Sequence, residues 1–173
     1  PHGDFDGLAE YGLRRDGYAL LVSTIEPRKG HAMILKIWRR LLKDGLPQKH
    51  KFKLVLVGRE GWLVDELIKE LRQTARETDS VVMLSDVSDE RLACLYRGAA
   101  FCLYPSKYEG YGLPIVEALQ YCKPIVASNA GPMKELVSSL SPSLDPDHAE
   151  SWESQLRSWI EEPEQLADIA AKI

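Results

Sequence analysis

Long apolar runs, an excess of basic residues and closely spaced cysteines are all missing from this sequence of 173 residues. No apolar run approaches the ~20 residues that a helix needs to cross a bilayer. The formal net charge is -4, so no positive field over the whole chain attracts nucleic acid or an anionic membrane. We therefore expect neither a membrane contact nor a nucleic-acid-binding role for this piece of chain, and any phosphate must be held by a local site.

The cysteine content also argues against a metal site. The chain has three cysteines, Cys94, Cys102 and Cys122, which are odd in number and lack the close spacing of a metal knuckle. Each lies among apolar residues. The pattern predicts buried thiols in a reducing cytosol. We expect a cytoplasmic location, either free or at the inner face of the cell membrane.

The composition is sufficient for one domain. Hydrophobic residues make up 45% of the chain, which supplies one substantial core. Residues 1–17 are rich in glycine and charge without clear periodicity, and the last segment stops inside a helical pattern. We expect residues 1–17 to be a linker or a segment of a missing amino-terminal domain, and residues 18–173 to form one domain.

Apolar runs alternate with helical patterns along the chain. The runs at residues 18–23 and 53–57 predict buried strands, and the apolar spacing between them predicts a helix that stops at Gly45 and Pro47. Further strands are predicted at residues 81–84, 100–104 and 124–127, and further helices at residues 64–71, 90–96 and 114–120. Parallel strands need such crossovers, so the sequence predicts a doubly wound, Rossmann-like α/β sheet.

The tail carries a further helical pattern. Trp152, Leu156, Trp159 and Ile160 fall on one helical face, which we expect to pack on the domain or on a missing partner domain. In doubly wound sheets, ligands bind outside the carboxyl ends of the strands. The loops at residues 24–30, 58–61, 85–88, 105–114 and 128–132 are therefore the candidate binding loops.

The stretch at residues 105–117 reads PSKYEGYGLPIVE and leads from a strand, through a glycine-rich loop, into a helix. Gly110 and Gly112 allow backbone amides to approach a ligand, and the helix start adds N–H groups and a positive dipole end that suit a diphosphate. Glu109 and Glu117 place two carboxylates at different depths of the same crevice, where they can accept sugar hydroxyls. The alternative is that both carboxylates are solvated and the glycines only make the turn.

The loop at residues 23–30 reads STIEPRKG and places Arg28 and Lys29 after the first strand. Cations there would complement phosphates held by the glycine-rich loop. A helix dipole disfavours cations at its amino-terminal end, so a bound anion would explain the placement. The alternative, a surface pair of basic residues, stays open from this segment alone. His31 is interpreted as a residue on the helix surface rather than a catalytic group, although its position in the loop leaves the second role open.

Together these stretches closely resemble the carboxyl-terminal domain of family 4 glycosyltransferases of the GT-B fold. The resemblance rests on Glu109-x7-Glu117 and its flanks, and on the matching stretches at residues 26–30, 54–58, 87–96 and 131–135. It runs in the expected order from about residue 18 to about residue 161.

This resemblance implies a donor site for a nucleotide-activated sugar, without a cofactor or a metal, in an enzyme that retains the anomeric configuration. Glu117 would bind the ribose hydroxyls, Glu109 would face the donor sugar, and Lys29 with Arg28 would neutralise the leaving diphosphate. Backbone amides of the glycine-rich loop would contact sugar and phosphate, namely those of Gly110, Tyr111, Gly112 and Leu113. The segment after the third strand would lie near the base and consists of Ser85, Asp86 and Val87.

One departure from the family pattern concerns the first loop. The family often carries Gly-Arg where this chain has Ser23 and Thr24, so an arginine is missing that Arg28 would replace. The variant most resembles bacterial mannosyltransferases that build polysaccharides, which favours GDP-mannose over a UDP-sugar. The acceptor would be bound mainly by a missing amino-terminal domain, so we expect this piece alone to bind a donor without transferring its sugar.

Three other classes of protein use related scaffolds. A nucleotide-sugar epimerase or a phosphorylase would be expected to show histidines and arginines at strand ends or a cofactor lysine, and no such residue stands out in this sequence. A nicotinamide-binding domain would carry a glycine-rich fingerprint after the first strand, which residues 24–30 lack. A non-catalytic sugar-nucleotide-binding module is disfavoured because Lys29, Glu109 and Glu117 are all present.

Overall fold

The computed structural model describes residues 6–108, 110–137 and 140–173. The described strands are β1 (Tyr18–Val22), β2 (Lys53–Val57), β3 (Val81–Leu84), β4 (Phe101–Tyr104), β5 (Ile125–Ser128) and β6 (Ser143–Leu144). The described helices are α1 (Asp6–Ala9), α2 (His31–Lys43), α3 (Leu46–His50), α4 (Asp65–Thr78), α5 (Asp89–Gly98), α6 (Leu113–Gln120), α7 (Met133–Val137), α8 (Ala149–Glu161) and α9 (Glu164–Ala170).

The strands form one parallel sheet in the order β3-β2-β1-β4-β5-β6. The chain first builds outward from β1 to β3 and then returns to add β4 on the other side of β1. The direction of winding therefore reverses between β1 and β4. At such a switch point the connecting loops diverge and leave a crevice at the carboxyl edge of the sheet. The predicted doubly wound α/β fold is confirmed.

Apolar side chains cover both faces of the sheet in two layers. One layer joins the sheet to α2, α3, α4, α8 and α9, and it buries the three large side chains of Trp38, Trp152 and Trp159. The other layer joins the sheet to α1, α5, α6 and α7 around Tyr18 and Tyr96. Because both faces are covered, the central strands read as continuous apolar runs.

The predicted tail helix packs on this domain. Trp152 and Leu156 are fully buried in α8, and Trp159 is almost so. The Trp152 indole also donates a hydrogen bond to the Asp145 carbonyl at 2.9 Å, so its burial leaves no polar group unsatisfied. The expectation that this helical face covers the domain is confirmed.

Short elements were not predicted from the sequence. Gly45 ends α2 with a φ of 76°, as expected, but Pro47 then lies in the first turn of α3, where its missing N–H costs nothing. The helix predicted at residues 64–71 continues to Thr78, because Ile68, Leu71 and Thr74 extend its buried face. The elements α7 and β6 have five and two residues, too few for periodicity to show.

The segment before β1 contacts the domain. Leu8 of α1 and Leu13 are buried in the layer that contains α5. The assignment of residues 1–17 to a linker or to another domain stays a prediction, and residues 1–5 lie outside the described part of the chain. Over the described residues, no helix combines the length and the apolar character that crossing a membrane requires.

The cysteine prediction needs a correction. Cys102 is buried in β4, but Cys94 is only half-buried and Cys122 is exposed. Cys122 has a φ of 54° in the turn that follows α6, where its side chain leaves the core. Burial raises the pKa of the Cys102 thiol to about 12, so this residue acts as a small apolar side chain.

Candidate functional site

A cavity of about 360 Å³ lies at the carboxyl edge of the sheet, where the winding reverses between β1 and β4. We call it the switch-point cavity. Its lining comes from the end of β1, the loop before α2, α5, the end of β4 and the start of α6, and consists of Val22, Ser23, Thr24, Lys29, Leu92, Tyr104, Tyr111, Gly112, Leu113, Pro114 and Glu117. This is the crevice in which doubly wound sheets hold their ligands.

The structure brings part of the predicted site together here. Five predicted residues line the switch-point cavity, namely Lys29, Tyr111, Gly112, Leu113 and Glu117. Gly110 immediately precedes Tyr111 in the loop before α6. Glu109, the predicted contact to the donor sugar, lies outside the described residues.

The three residues predicted to lie near the base divide between two places. Ser85 and Asp86 line a second cavity of about 540 Å³ at the carboxyl ends of β2 and β3. Val87 packs instead against the core layer that contains α5, the helix whose Leu92 lines the switch-point cavity. All three residues follow β3 at the carboxyl edge of the sheet, the edge at which the switch-point cavity also lies.

The start of α6 supplies backbone donors to the switch-point cavity. Gly112 has a φ of 74° immediately before the helix, and a Cβ there would lie 3.1 Å from Leu136. Pro114 follows in the first turn, where helices tolerate a residue without an N–H. The first N–H groups of a helix lack partners within it, and its dipole favours an anion at this end. The local backbone thus suits a phosphate.

Glu117 is held in place by a tyrosine that sequence reasoning missed. The Tyr96 hydroxyl donates a hydrogen bond of 2.8 Å to Glu117 Oε2, and Tyr96 is 2% exposed. Burial, the nearby Cys102 and this hydrogen bond raise the pKa of Tyr96 above its ordinary value, so the phenol keeps its proton. One carboxylate oxygen of Glu117 is thus fixed on the protein side. No pattern in the sequence marks a pair of residues 21 positions apart on two helices.

Lys29 supplies a cation to the cavity. It ends a 3-10 turn, Pro27–Lys29, and Gly30 follows with a φ of 84°. Burial and the neighbouring Arg28 both lower the pKa of Lys29, while Glu26 opposes them. The structure thus places a partly desolvated ammonium group at the edge of the switch-point cavity.

Arg28 points to protein groups. Its Nε donates to Glu26 Oε2 at 3.2 Å and its Nη1 donates to the Tyr108 carbonyl at 3.1 Å. It does not line the switch-point cavity. A direct contact between Arg28 and a diphosphate stays a prediction.

The interpretation of His31 as a surface residue is wrong. It is 2% exposed, and neither ring nitrogen has a hydrogen-bond partner among the described residues. The loop that precedes His31 lies close to the end of β4, where the Gly30 backbone leaves no room for a Cβ beside the Pro105 carbonyl. Burial, followed by the charge of Lys29, lowers the pKa of the His31 imidazole to about 4.

Apolar side chains surround this edge of the sheet. Among the described residues, the large hydrophobic side chains that are exposed lie on the β2–α4 loop and in the segment from β4 to the start of α6; they are Trp62, Leu63, Tyr108, Tyr111 and Leu113. Exposed apolar groups concentrated on one side are typical of a surface that meets a partner or a ligand.

Comparison with known proteins identifies relatives among sugar-transferring enzymes. The chain is 36% identical over 117 residues to the serotype-specific mannosyltransferase WbdA of Escherichia coli. The aligned stretch covers 68% of this chain and 14% of that relative. It is 34% identical over 144 residues to the O-antigen chain mannosyltransferase B of Escherichia coli, covering 83% of this chain and 37% of the relative. The chain thus spans less than half the length of these relatives.

Solved structures share the fold. The complex of Anabaena Alr3699/HepE with UDP and glucose superimposes with a TM-score of 0.81 at 23% identity, over 98% of this chain and 46% of that one. The carboxyl-terminal domain of the glycosyl transferase group 1 family protein LpcC from Francisella tularensis gives a TM-score of 0.79 at 18% identity. That superposition covers 98% of this chain and 88% of the LpcC domain. The profile of one sequence family matches residues 10–173. The chain therefore belongs to the family described as glycosyl transferases group 1.

Proposed function

We propose that this chain is the donor-binding domain of a retaining glycosyltransferase, which moves mannose from GDP-mannose to a glycan or lipid-linked acceptor. One observation carries the proposal. Lys29, the amino-terminal end of α6 and the Glu117 carboxylate meet around one cavity at the switch point of the sheet. This set combines a cation and backbone donors for a diphosphate with a carboxylate for hydroxyl groups.

The proposed binding mode follows from the lining of the cavity. Glu117 accepts hydrogen bonds from the ribose hydroxyls with its second oxygen, while Tyr96 holds the first. The diphosphate lies against the start of α6, and the Lys29 ammonium meets the charge that grows as the sugar leaves. Glu109 faces the sugar in this proposal. Because these groups neutralise the leaving diphosphate, the proposal invokes no metal ion.

The choice of donor draws on the relatives. WbdA and the O-antigen chain mannosyltransferase B carry mannose transfer in their names, which supports mannose as the sugar. GDP is then the proposed nucleotide, with its base near Ser85, Asp86 and Val87. The Alr3699/HepE complex contains UDP and glucose, so a UDP-sugar is the alternative that a binding experiment must separate.

The proposed partner is an acceptor-binding domain across the crevice. The exposed apolar side chains on the carboxyl edge, such as Trp62 and Tyr111, supply a surface for it. Closure of a second domain over the donor would exclude water from the reacting groups.

We expect the 173-residue chain to bind GDP-mannose but not to transfer the sugar, because the proposed donor groups lie in this chain and the proposed acceptor site lies mainly in a further domain. Thermal unfolding with GDP-, UDP- and ADP-sugars measures the first part. A ligand at 100 times its Kd stabilises the fold by about 2.7 kcal/mol. No stabilisation by any of these sugars would contradict donor binding, and robust transfer to an added acceptor would contradict the need for a second domain.

We expect Glu117→Gln to weaken binding of the nucleotide by roughly 1.5 to 3 kcal/mol, the range for hydrogen bonds to a charged group. The amide keeps the shape of the side chain but loses the charge that attracts the ribose hydroxyls. Titration calorimetry measures the loss, with Glu135→Gln on the exposed surface of α7 as the matched control. Equal affinities of Glu117→Gln and the parent would exclude Glu117 as the ribose ligand.

A further inference from the structure

Two of the loops at the switch point are joined into one unit. The backbone N–H of Lys107 donates to the Arg28 carbonyl at 2.7 Å. The Ser106 hydroxyl, which is 1% exposed, donates to the Tyr108 carbonyl at 3.0 Å and lies 3.5 Å from the Arg28 carbonyl. Gly30 adds a direct backbone approach to Pro105. The loop before α2 and the loop before α6 therefore hold their shapes jointly.

The Arg28 guanidinium closes this unit from outside. It joins the Glu26 carboxylate on its own loop to the Tyr108 carbonyl on the other loop. Each contact uses a different nitrogen of a rigid planar group. The Tyr108 carbonyl receives a second hydrogen bond from Ser106. Two donors therefore fix the Tyr108 carbonyl after the end of β4, close in sequence to the cavity-lining residues Tyr111 and Gly112.

We infer that Arg28 is a positioning residue, which clasps Glu26 to Tyr108 and so holds residues 110–112 in their donor-binding geometry, rather than a ligand of the diphosphate. The inference rests on the proposed donor-binding function. It explains why Arg28 lies beside Lys29 yet does not line the cavity that Lys29 lines. It also gives Glu26 a purpose, since this carboxylate would otherwise lower the positive potential at a phosphate site.

The two roles predict opposite results for two conservative changes. Arg28→Lys keeps the charge, so a phosphate contact would largely survive, but one ammonium does not reproduce two hydrogen bonds from separate nitrogens of a planar fork. Glu26→Gln removes a negative charge, which would strengthen or preserve a phosphate contact. If Arg28 acts as the clasp, Glu26→Gln removes the charged partner that orients the guanidinium, so the donor binds more weakly.

Titration calorimetry of the 173-residue chain with GDP-mannose, and in parallel with UDP-glucose, tests the clasp. We expect Arg28→Ala, Arg28→Lys and Glu26→Gln each to weaken the sugar nucleotide that the parent binds by about tenfold, the value of one good hydrogen bond. Arg40→Ala is the matched control, because it breaks a surface ion pair of 3.0 Å with Glu153. Thermal unfolding verifies that each variant is folded.

Parental affinity in Arg28→Lys, or tighter binding by Glu26→Gln, overturns the clasp and indicates a phosphate contact. Parental affinity in all three variants also overturns it, as does an equal loss in Arg40→Ala. A parent that binds neither sugar nucleotide overturns the proposed function, and the clasp with it. The titration of the parent itself distinguishes that failure from the others.

Discussion

Replacing Lys29 with alanine should lower kcat about 10² to 10³-fold in an enzyme that contains this domain together with its acceptor domain, the usual contribution of a preorganised group aimed at developing charge. Among the described residues that line the switch-point cavity, Lys29 is the one cation. Thr24 lines the same cavity and brings no charge. In the proposed reaction the negative charge on the diphosphate grows as the sugar departs, so we expect the ammonium to stabilise the transition state more than the bound donor.

The measurement is kcat and donor KM for Lys29→Ala beside Lys36→Ala, which changes an exposed lysine further along α2. We expect the control to match the parent, and the loss in Lys29→Ala to fall mainly on kcat. Lys29→Arg should recover part of the rate, because it keeps a cation of different shape at the same place. A kcat of Lys29→Ala within threefold of the parent would place the phosphate site elsewhere.

The layout of the sheet and the place of the site could be predicted from the sequence. Continuous Val- and Leu-rich runs mark strands that are buried on both faces, and their alternation with helices specifies a parallel sheet. The carboxyl ends of such strands converge at one edge. The placement of Lys29 and Glu117 around one cavity agrees with that argument.

The contacts that fix these groups could not be predicted. The hydrogen bond from Tyr96 to Glu117 and that from Arg28 to Tyr108 join residues 21 and 80 positions apart, and local periodicity carries no information about them. From position alone, basic residues in a loop after a strand predict a contact with a ligand. The geometry adds that Arg28 has protein partners at the distance of a hydrogen bond.

The burial of His31 follows from the close contact between two loops. Its position at the start of α2 is typical of a surface residue, since the apolar face of the helix begins with Ile34. The contact of Gly30 with the Pro105 carbonyl draws this turn against the end of β4. A neutral imidazole tolerates the apolar surroundings and the charge of Lys29, whereas an imidazolium there is unfavourable for both reasons.

Stability should therefore fall as the solution is acidified, in a window set by His31. Its pKa is lowered from 6.5 to about 4 in the folded chain, so the unfolded chain binds the proton more readily. The contribution of His31 is fully present above about pH 6.5 and is lost as the pH falls toward 4. At 1.36 kcal/mol for each pKa unit, the loss amounts to about 3 kcal/mol.

Urea unfolding at a series of pH values from 7.5 to 4 measures this dependence in the parent, in His31→Gln and in the control His148→Gln. His148 has a side chain that is 60% exposed, so its replacement controls for the loss of an imidazole outside the core. Carboxylates also titrate in this window, and taking the difference between His31→Gln and the parent removes their contribution. We expect the free energy of unfolding of His31→Gln to fall less steeply with acid by about 3 kcal/mol over the series. The same slope in His31→Gln and the parent would mean that the imidazole is protonated equally in the folded and unfolded chain. Burial and the neighbouring Lys29 would then not disfavour the imidazolium in the folded chain, contrary to the lowered pKa of His31.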